Sequence, residues 1–179
     1  MAMSRTKTHG TARSAWEDTL RREIAAAGMV LVLGIGNPDK ADDAAGILAA
    51  KSLKKALGGR LSRRIKVLLG YETPESLTGE IRAFAPRLVI MIDAALGGRA
   101  PGAVFIVERE DIPDEGVSTH KISLRMLVAY LEKTVGCAVV FLGIQASDLE
   151  LGKPASPAVE RAAQRAAVAL ERMLRSSSA

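Results

Sequence analysis

Apolar residues in this chain form short continuous runs separated by stretches with helical periodicity. The runs predict buried strands at residues 30–33, 65–69, 88–92, 104–107 and 138–144. The periodic stretches predict helices at residues 43–57, 74–84, 122–135 and from Ser156 onward. A further helix is predicted before the first strand, at residues 13–27, with Gly28 at its end.

This order of elements predicts a three-layer α/β/α sandwich around a five-stranded, mostly parallel sheet. The turn between the third and fourth strands, residues 97–102, is shorter than the roughly ten residues that a parallel crossover requires. The fourth strand is therefore predicted to run antiparallel to the others. We divide the chain into an N-terminal extension with a helix, residues 1–28, and one domain, residues 29–175.

The composition limits the possible classes of function. The chain has 179 residues, of which 48% are hydrophobic and 3% aromatic, which predicts one domain with an aliphatic core. The sequence has neither an apolar run near the roughly 20 residues of a membrane span nor a signal-peptide pattern, so we expect no membrane insertion and a cytoplasmic location. The one cysteine, Cys137, excludes an internal disulfide and a thiolate metal cluster.

Positive charge is concentrated at one place in a chain of formal net charge +5. This basic patch comprises Arg60, Arg63, Arg64 and Lys66. Because no aromatic residues are interleaved with it, it is a poor platform for single-stranded nucleic acid, and we expect no nucleic-acid partner. We interpret the patch as solvated surface, with docking of an acidic partner as the alternative.

Two adjacent acids, Asp42 and Asp43, follow the first strand and a glycine turn. The turn, with Gly34 and Gly36, is typical of a nucleotide-binding strand–helix unit. Fixed carboxylates at a helix N-terminus would, however, repel a pyrophosphate. The pair could hold a cation instead, or could simply interact with the positive end of the helix.

Other polar residues are predicted at the same sheet edge, because ligands of open α/β sheets bind at the carboxyl ends of the strands. Asp93 follows the third strand, and His120 precedes the helix that leads to the fifth. If strands one and three are neighbours, Asp43, Asp93 and His120 converge. Such a ligand set suits nickel, zinc, iron or manganese and leaves coordination positions open. Three more acids fall at this edge: Glu72, Glu75 and Asp148.

Each of these residues also has a structural explanation, since Asp93 could cap a loop and His120 could cap a helix together with Ser118 and Thr119. Conventional hydrolytic sites are not evident. The sequence has no Gly-x-Ser-x-Gly motif, and its only histidines are His9 and His120. Cys137 has apolar neighbours and is interpreted as an inert core residue.

The motifs at the strand ends occur in a specific order: Gly34-Ile-Gly-Asn-Pro38, Asp42-Asp43, Ile92-Asp-Ala94, Ser118-Thr-His120 and Phe141-Leu-Gly-Ile-Gln145. In this order and spacing they resemble the hydrogenase maturation endopeptidases, which process the large subunit of nickel–iron hydrogenases. The resemblance covers residues 29–175. The last two motifs are most similar to the branch that serves formate-hydrogenlyase-type hydrogenases.

The resemblance implies a phosphorylase/hydrolase-like fold and a hydrolase, classified with aspartic-type endopeptidases. Its activity would be removal of a C-terminal peptide from the large-subunit precursor after nickel has been installed. The family's metal-contacting positions fall on Asp43, Asp93 and His120, and the catalytic carboxylates are expected to be Asp43 and Asp93. Nickel would be carried by the substrate, with other divalent metals as substitutes. The implied partner is the precursor, bound by a monomer.

The sequence departs from the family pattern at three positions. Ala41 and Ala44 stand where glycines are usual, and Ala146 replaces a proline. The added methyl groups could stiffen or narrow the acid-bearing turn. Two other functions are considered: a dinucleotide-binding module based on Gly34 and Gly36, and a non-catalytic nickel-binding assembly factor that uses the same three ligands.

Overall fold

The computed structural model describes residues 14–58, 63–112, 114 and 123–177. The strands are β1 (Val30–Ile35), β2 (Ile65–Tyr71), β3 (Leu88–Ala95), β4 (Val104–Ile106) and β5 (Ala138–Gln145). The α-helices are α1 (Ala15–Ala27), α2 (Ala45–Leu57), α3 (Thr78–Phe84), α4 (Leu124–Tyr130) and α5 (Pro157–Ser176). Short turns of other helix types precede α2 and α3 at Ala41–Ala44 and Pro74–Leu77, and Leu131–Val135 follows α4.

Each predicted strand and helix is present, with shifts at its ends. Residue 13 and the first predicted residue of the helix at 122–135 lie outside the described residues. The parallel strands continue past the apolar runs that predicted them, because backbone pairing persists beyond the buried residues. Asp93 therefore lies within β3, paired in register with Gly143, and the prediction that it follows the strand was wrong.

The sheet has the order β2-β1-β3-β5-β4. β1 lies between β2 and β3, and all pairs are parallel except β4 with β5, so the antiparallel fourth strand is confirmed. β4 does not pair with β3, which precedes it in the chain. The short connection after β3 therefore spans the end of β5.

Successive strand residues point to opposite faces of the sheet, which divides the core into two apolar clusters. The cluster on one face contains Val30 and Val32 and is covered by α1, α2 and α5. The cluster on the other face contains Leu31 and Leu33 and is covered by α3 and α4. These layers confirm the α/β/α sandwich. None of the helices in the described residues has the length and apolar character to cross a bilayer.

The helix predicted before the first strand is part of one of these layers. Trp16, Leu20 and Ile24 of α1 are buried in the same cluster as α2 and α5. The N-terminal helix thus contributes to the core of the domain. The division of the chain at residue 28 into an extension and a domain stays a prediction.

The first turn of α2 lies in direct backbone contact with the sheet at Gly46. An ideal Cβ at Gly46 would lie 2.0 Å from the carbonyl oxygen of Ile92 and 2.4 Å from that of Ile35. Only a residue without a side chain permits this approach, since real Cβ contacts do not fall below 3.0 Å. The approach sets the start of α2, and the turn just before it, over the carboxyl ends of β1 and β3.

We predict that Gly46→Ala lowers the free energy of unfolding by about 1–3 kcal/mol or more, because the added methyl group meets two backbone oxygens that cannot move independently. Urea denaturation monitored by circular dichroism measures this change. Gly79→Ala in α3 is the matched control, since a Cβ there would meet no heavy atom within 4 Å. It should be neutral or stabilising by up to about 1 kcal/mol. Equal stability of the two variants would contradict the role given to Gly46.

Candidate functional site

The two adjacent aspartates have different environments, and Asp42 is the structural one. It is fully buried, with 0% of its surface exposed. One carboxylate oxygen accepts hydrogen bonds from the backbone N–H groups of Ser147 (2.8 Å) and Asp148 (3.2 Å) and from the Ser147 hydroxyl (3.0 Å). The other accepts from the backbone N–H of Ser156 at 2.7 Å. Asp42 thus ties the turn before α2 to the segment after β5 and to the start of α5.

Burial alone would raise the pKa of Asp42, but the hydrogen bonds from Ser147, Ser156 and Asp148 outweigh it and lower the pKa from 3.8 to about 2. The carboxylate therefore stays charged, and both of its oxygens are engaged by protein donors. The interpretation of the acid pair as a cation site thus applies to Asp43 alone.

Asp43 is half-buried and turns toward the end of β3. Its Oδ2 accepts a hydrogen bond from the backbone N–H of Asn37 at 2.9 Å, which orients the carboxylate. Gly36 separates this turn from Asp93. An ideal Cβ on Gly36, whose φ is +119°, would lie 1.9 Å from the Asp43 carbonyl oxygen and 3.4 Å from Asp93 Oδ1. A side chain at position 36 would push the acid-bearing turn away from β3.

Asp93 and Asp43 line the same cavity, and the charge of Asp43 acts on Asp93; we call the two the acid pair. Oδ1 of Asp93 accepts a hydrogen bond from the backbone N–H of Ala94 at 2.8 Å. Burial and the negative charge of Asp43 nevertheless raise the pKa of Asp93 from 3.8 to about 8. Near neutral pH the pair tends to retain one proton, which a bound cation would displace.

The acid pair lies in a cavity of about 730 Å³. The apolar part of its wall includes Phe105, Leu124 and Phe141, and its charged lining residues are Asp43, Asp93, Arg99, Glu108 and Asp111. The cavity is large enough to hold several residues of an extended peptide. It therefore combines a cation-attracting end with an apolar surface for a chain.

His120, the third predicted metal contact, lies outside the described residues, as does His9. Within the described part of the chain, no group of three or more His, Cys, Asp or Glu side chains is arranged to hold a metal ion. The sequence that carries His120 leads to Leu124, which lines the cavity. Two carboxylates are suitable oxygen ligands for a divalent cation, and an imidazole would complete the predicted set.

The other acids predicted at this edge do not join the pair. Asp148 forms an ion pair with Lys153 at 3.0 Å. Neither Asp148 nor Glu72 nor Glu75 lines the cavity. Cys137 is buried and precedes β5, and burial raises the pKa of its thiol, which fits the predicted inert core residue.

Sequence reasoning assigned no role to two residues that shape the cavity. Gln145 ends the last of the sequence motifs, and its buried side chain accepts hydrogen bonds from the backbone N–H groups of Gly97 (2.9 Å) and Arg99 (3.0 Å). A glutamine at the end of an apolar strand was the available signal, because a buried amide requires partners. Arg99 lay in a turn and carried no such signal.

The departures from the family pattern have structural consequences. Ala41 has φ +41°, in the left-handed region that favours glycine, so the expected stiffening falls on a strained residue. Ala44 has a right-handed φ of −66° and carries no such strain. The backbone N–H of Ala146 donates to the Ala95 carbonyl at 3.0 Å, a bond that a proline could not make.

Known proteins resemble this chain in sequence and structure. Residues 48–173 match the family model for the HycI hydrogenase maturation protease. The hydrogenase 3 maturation protease of Escherichia coli K12 is 31% identical over 140 residues, covering 75% of this chain and 86% of that protein. The crystal structure of a NiFe hydrogenase maturation protease HycI from Thermococcus kodakarensis KOD1 has a TM-score of 0.78 and 30% identity, covering 88% and 99% of the two chains. The solution structure of the Escherichia coli endopeptidase HycI has a TM-score of 0.68 at 29% identity, covering 80% of this chain and 90% of that chain.

The fold and these similarities place the chain among the maturation peptidases, a class of hydrolases. The chain belongs to the hydrogenase maturation protease family. The predicted resemblance is confirmed. The matched range of the family model includes Asp93 and His120, and Asp43 lies shortly before it.

We predict that neutralising Asp42 destabilises the protein much more than neutralising Asp43. Asp42→Asn should lower the free energy of unfolding by at least about 3 kcal/mol. The new amide nitrogen cannot accept a hydrogen bond, so buried N–H donors that now bind the Asp42 carboxylate would lose their acceptor. Asp43→Asn should change it by less than about 1 kcal/mol, since an amide oxygen can still accept from Asn37. Urea denaturation of both variants at pH 7 tests this contrast, and similar losses would show that Asp43 is also structural.

We predict that the metal-free protein loses stability as the pH rises from about 4 to about 8. The folded state holds a proton on Asp93 in this range whereas the unfolded state has released it, so folding is favoured at the lower pH. Urea denaturation of wild type and of Asp93→Asn across this range isolates the effect. The free energy of unfolding of wild type should fall relative to that of the variant as the pH rises, and the difference should level off above about 8. A constant difference would contradict the raised pKa.

Proposed function

We propose that this protein is the endopeptidase that removes the C-terminal peptide from the nickel-loaded precursor of a NiFe hydrogenase large subunit. The observation that carries the proposal is the Asp43–Asp93 pair within a cavity of about 730 Å³. Membership of the maturation protease family supports the reaction class.

Recognition of the substrate's nickel follows from the electrostatics of the acid pair. Burial of Asp93 and the negative charge of Asp43 both oppose full ionisation of the pair, and together they raise the pKa of Asp93. A divalent cation brought by the precursor relieves this repulsion and displaces the proton. A precursor without nickel lacks that attraction, which accounts for selectivity toward loaded precursor. His120 is the proposed third contact, and zinc, iron or manganese are the proposed substitutes for nickel.

The two carboxylates have distinct proposed roles in cleavage. Once the cation has displaced its proton, Asp93 is a free carboxylate that can accept a proton, so it is the proposed general base for the attacking water. Asp43, oriented by the backbone N–H of Asn37, is the proposed principal contact to the substrate's nickel. The cation supplies Lewis acidity toward the scissile carbonyl or the water.

The proposed partner is the large-subunit precursor, bound by a monomer in the cytoplasm. Both carboxylates of the pair come from one chain and are held by its own backbone donors. The pair thus needs no second copy to form, which supports action as a monomer.

Intact-mass spectrometry of the nickel-loaded precursor, taken from the same source as this protein, tests the function. Wild-type protein should remove a C-terminal fragment, and nickel-free precursor should keep its mass. Asp43→Asn should slow cleavage by at least about 100-fold, because it weakens the proposed cation contact. Glu160→Gln, an exposed change in the first turn of α5, is the matched control and should cleave normally.

Other outcomes point to the alternative functions. Stoichiometric binding of loaded precursor without any product would favour the non-catalytic assembly factor. An unchanged mass together with binding of a nicotinamide or flavin dinucleotide would favour the dinucleotide-binding module. Cleavage of loaded and nickel-free precursor at equal rates would show that nickel is not recognised.

A further inference from the structure

Arg99 is the one cationic side chain among the described residues that line the cavity. Its guanidinium carbon lies 4.3 Å from the centre of the Phe105 ring, a cation–π contact. Within the described residues it has no ion pair with a carboxylate, although Glu108 and Asp111 line the same cavity. A guanidinium held against a ring keeps its N–H donors available for an incoming planar acceptor.

The backbone of Arg99 is held as firmly as its side chain. Gln145 Oε1 accepts from the N–H groups of both Gly97 and Arg99, while Gln145 Nε2 donates to the Ala146 carbonyl at 2.9 Å. Gly97 lies so close to Phe105 that an ideal Cβ there would be 2.7 Å from the ring. The turn after β3 is therefore fixed to β5 and to Phe105, and Arg99 is held in place before any substrate arrives.

The register of the sheet gives the approximate separation between Asp93 and Phe105, the ring that the Arg99 guanidinium contacts. Asp93, Gly143 and Phe105 are paired in one row across β3, β5 and β4. With about 4.8 Å between neighbouring strands, Asp93 and Phe105 lie about 10 Å apart. An extended peptide advances about 3.3 Å per residue, so about three residues span this distance.

We propose that Arg99 is a specificity-determining residue that binds an acidic side chain of the substrate, two to four residues from the scissile bond. A carboxylate is the matching group, because the guanidinium fork pairs with its two oxygens. Gln145 is the positioning residue for this contact. The inference rests on the proposed function, and it adds recognition of the peptide to recognition of the metal.

The test is a double-mutant cycle on cleavage of nickel-loaded precursor. Arg99→Gln should raise KM by about tenfold and change kcat by less than about twofold, because the contact lies away from the reacting atoms. Each acidic residue within four positions of the scissile bond is then converted to its amide. One such change should raise KM for wild type by a similar factor and have no further effect with Arg99→Gln.

Arg172→Gln on α5, an exposed change on the opposite face of the sheet, is the matched control and should keep the wild-type KM. Gln145→Leu should raise KM in the same direction as Arg99→Gln, and only for the precursor that retains the acidic residue. An unchanged KM for Arg99→Gln would overturn the proposal, and so would an Arg99→Gln substitution that raises KM equally for every precursor variant. So would a precursor with no acidic residue in this range whose cleavage still depends on Arg99.

Failure of the proposed function has a different signature. If wild-type protein does not cleave loaded precursor, the dissociation constant of the precursor still measures the contribution of Arg99. A tenfold weaker Kd for Arg99→Gln that disappears with one amide substitution would retain the contact without the protease. An equal Kd for wild type and Arg99→Gln would reject the contact independently of cleavage.

Discussion

The close approach of α2 to the carboxyl ends of β1 and β3 is the contact on which the site depends. Gly46 permits it, because any side chain there would collide with the carbonyl oxygens of Ile92 and Ile35. Gly36, directly after β1, has a similar role against the Asp43 carbonyl. These close approaches of one backbone segment to another bring Asp43 near Asp93. A helix at an ordinary distance from the sheet would leave the two carboxylates too far apart to influence each other.

The acid-bearing turn combines anchoring and chemistry in consecutive residues. Asp42 points inward and binds the segments after β5 and before α5, and Asp43 points outward into the cavity. The anchor keeps the turn in place although Ala41 is strained. It also keeps Asp43 near the buried Asp93, although burial and the charge of Asp43 disfavour ionisation of Asp93.

The proposed function assigns two kinds of recognition to the cavity. Under that proposal a cation bound at the acid pair reports whether the precursor carries its metal. Arg99, Phe105 and the apolar wall offer contacts to the peptide itself, about three residues away from the acids. Because the acid pair and Arg99 are different groups at different places in the cavity, the proposed contacts to the metal and to the peptide do not overlap.

Local patterns in the sequence determined the elements of this fold. Continuous apolar runs marked each strand, and the short link before Val104 determined that β4 runs antiparallel, because its length excludes a crossover. Strand ends were less well defined, since pairing of Asp93 with Gly143 extends β3 without any apolar signal. The resemblance to known motifs selected Asp43 and Asp93 as site residues, and the structure brings them together, whereas His120 stays a prediction.

Only the tertiary structure decided how distant segments meet. Three contacts join residues far apart in the chain. They are the pairing of β4 with β5 rather than β3, the hydrogen bonds to Asp42, and the hydrogen bond from the Arg99 N–H to Gln145. The raised pKa of Asp93 likewise arises from its burial and from a charge on another element. Periodicity reports which residues are buried and in what kind of element, because it depends on neighbours in sequence. The contacts that distinguish Asp42 from Asp43 depend on neighbours in space, and the local sequence does not reveal them.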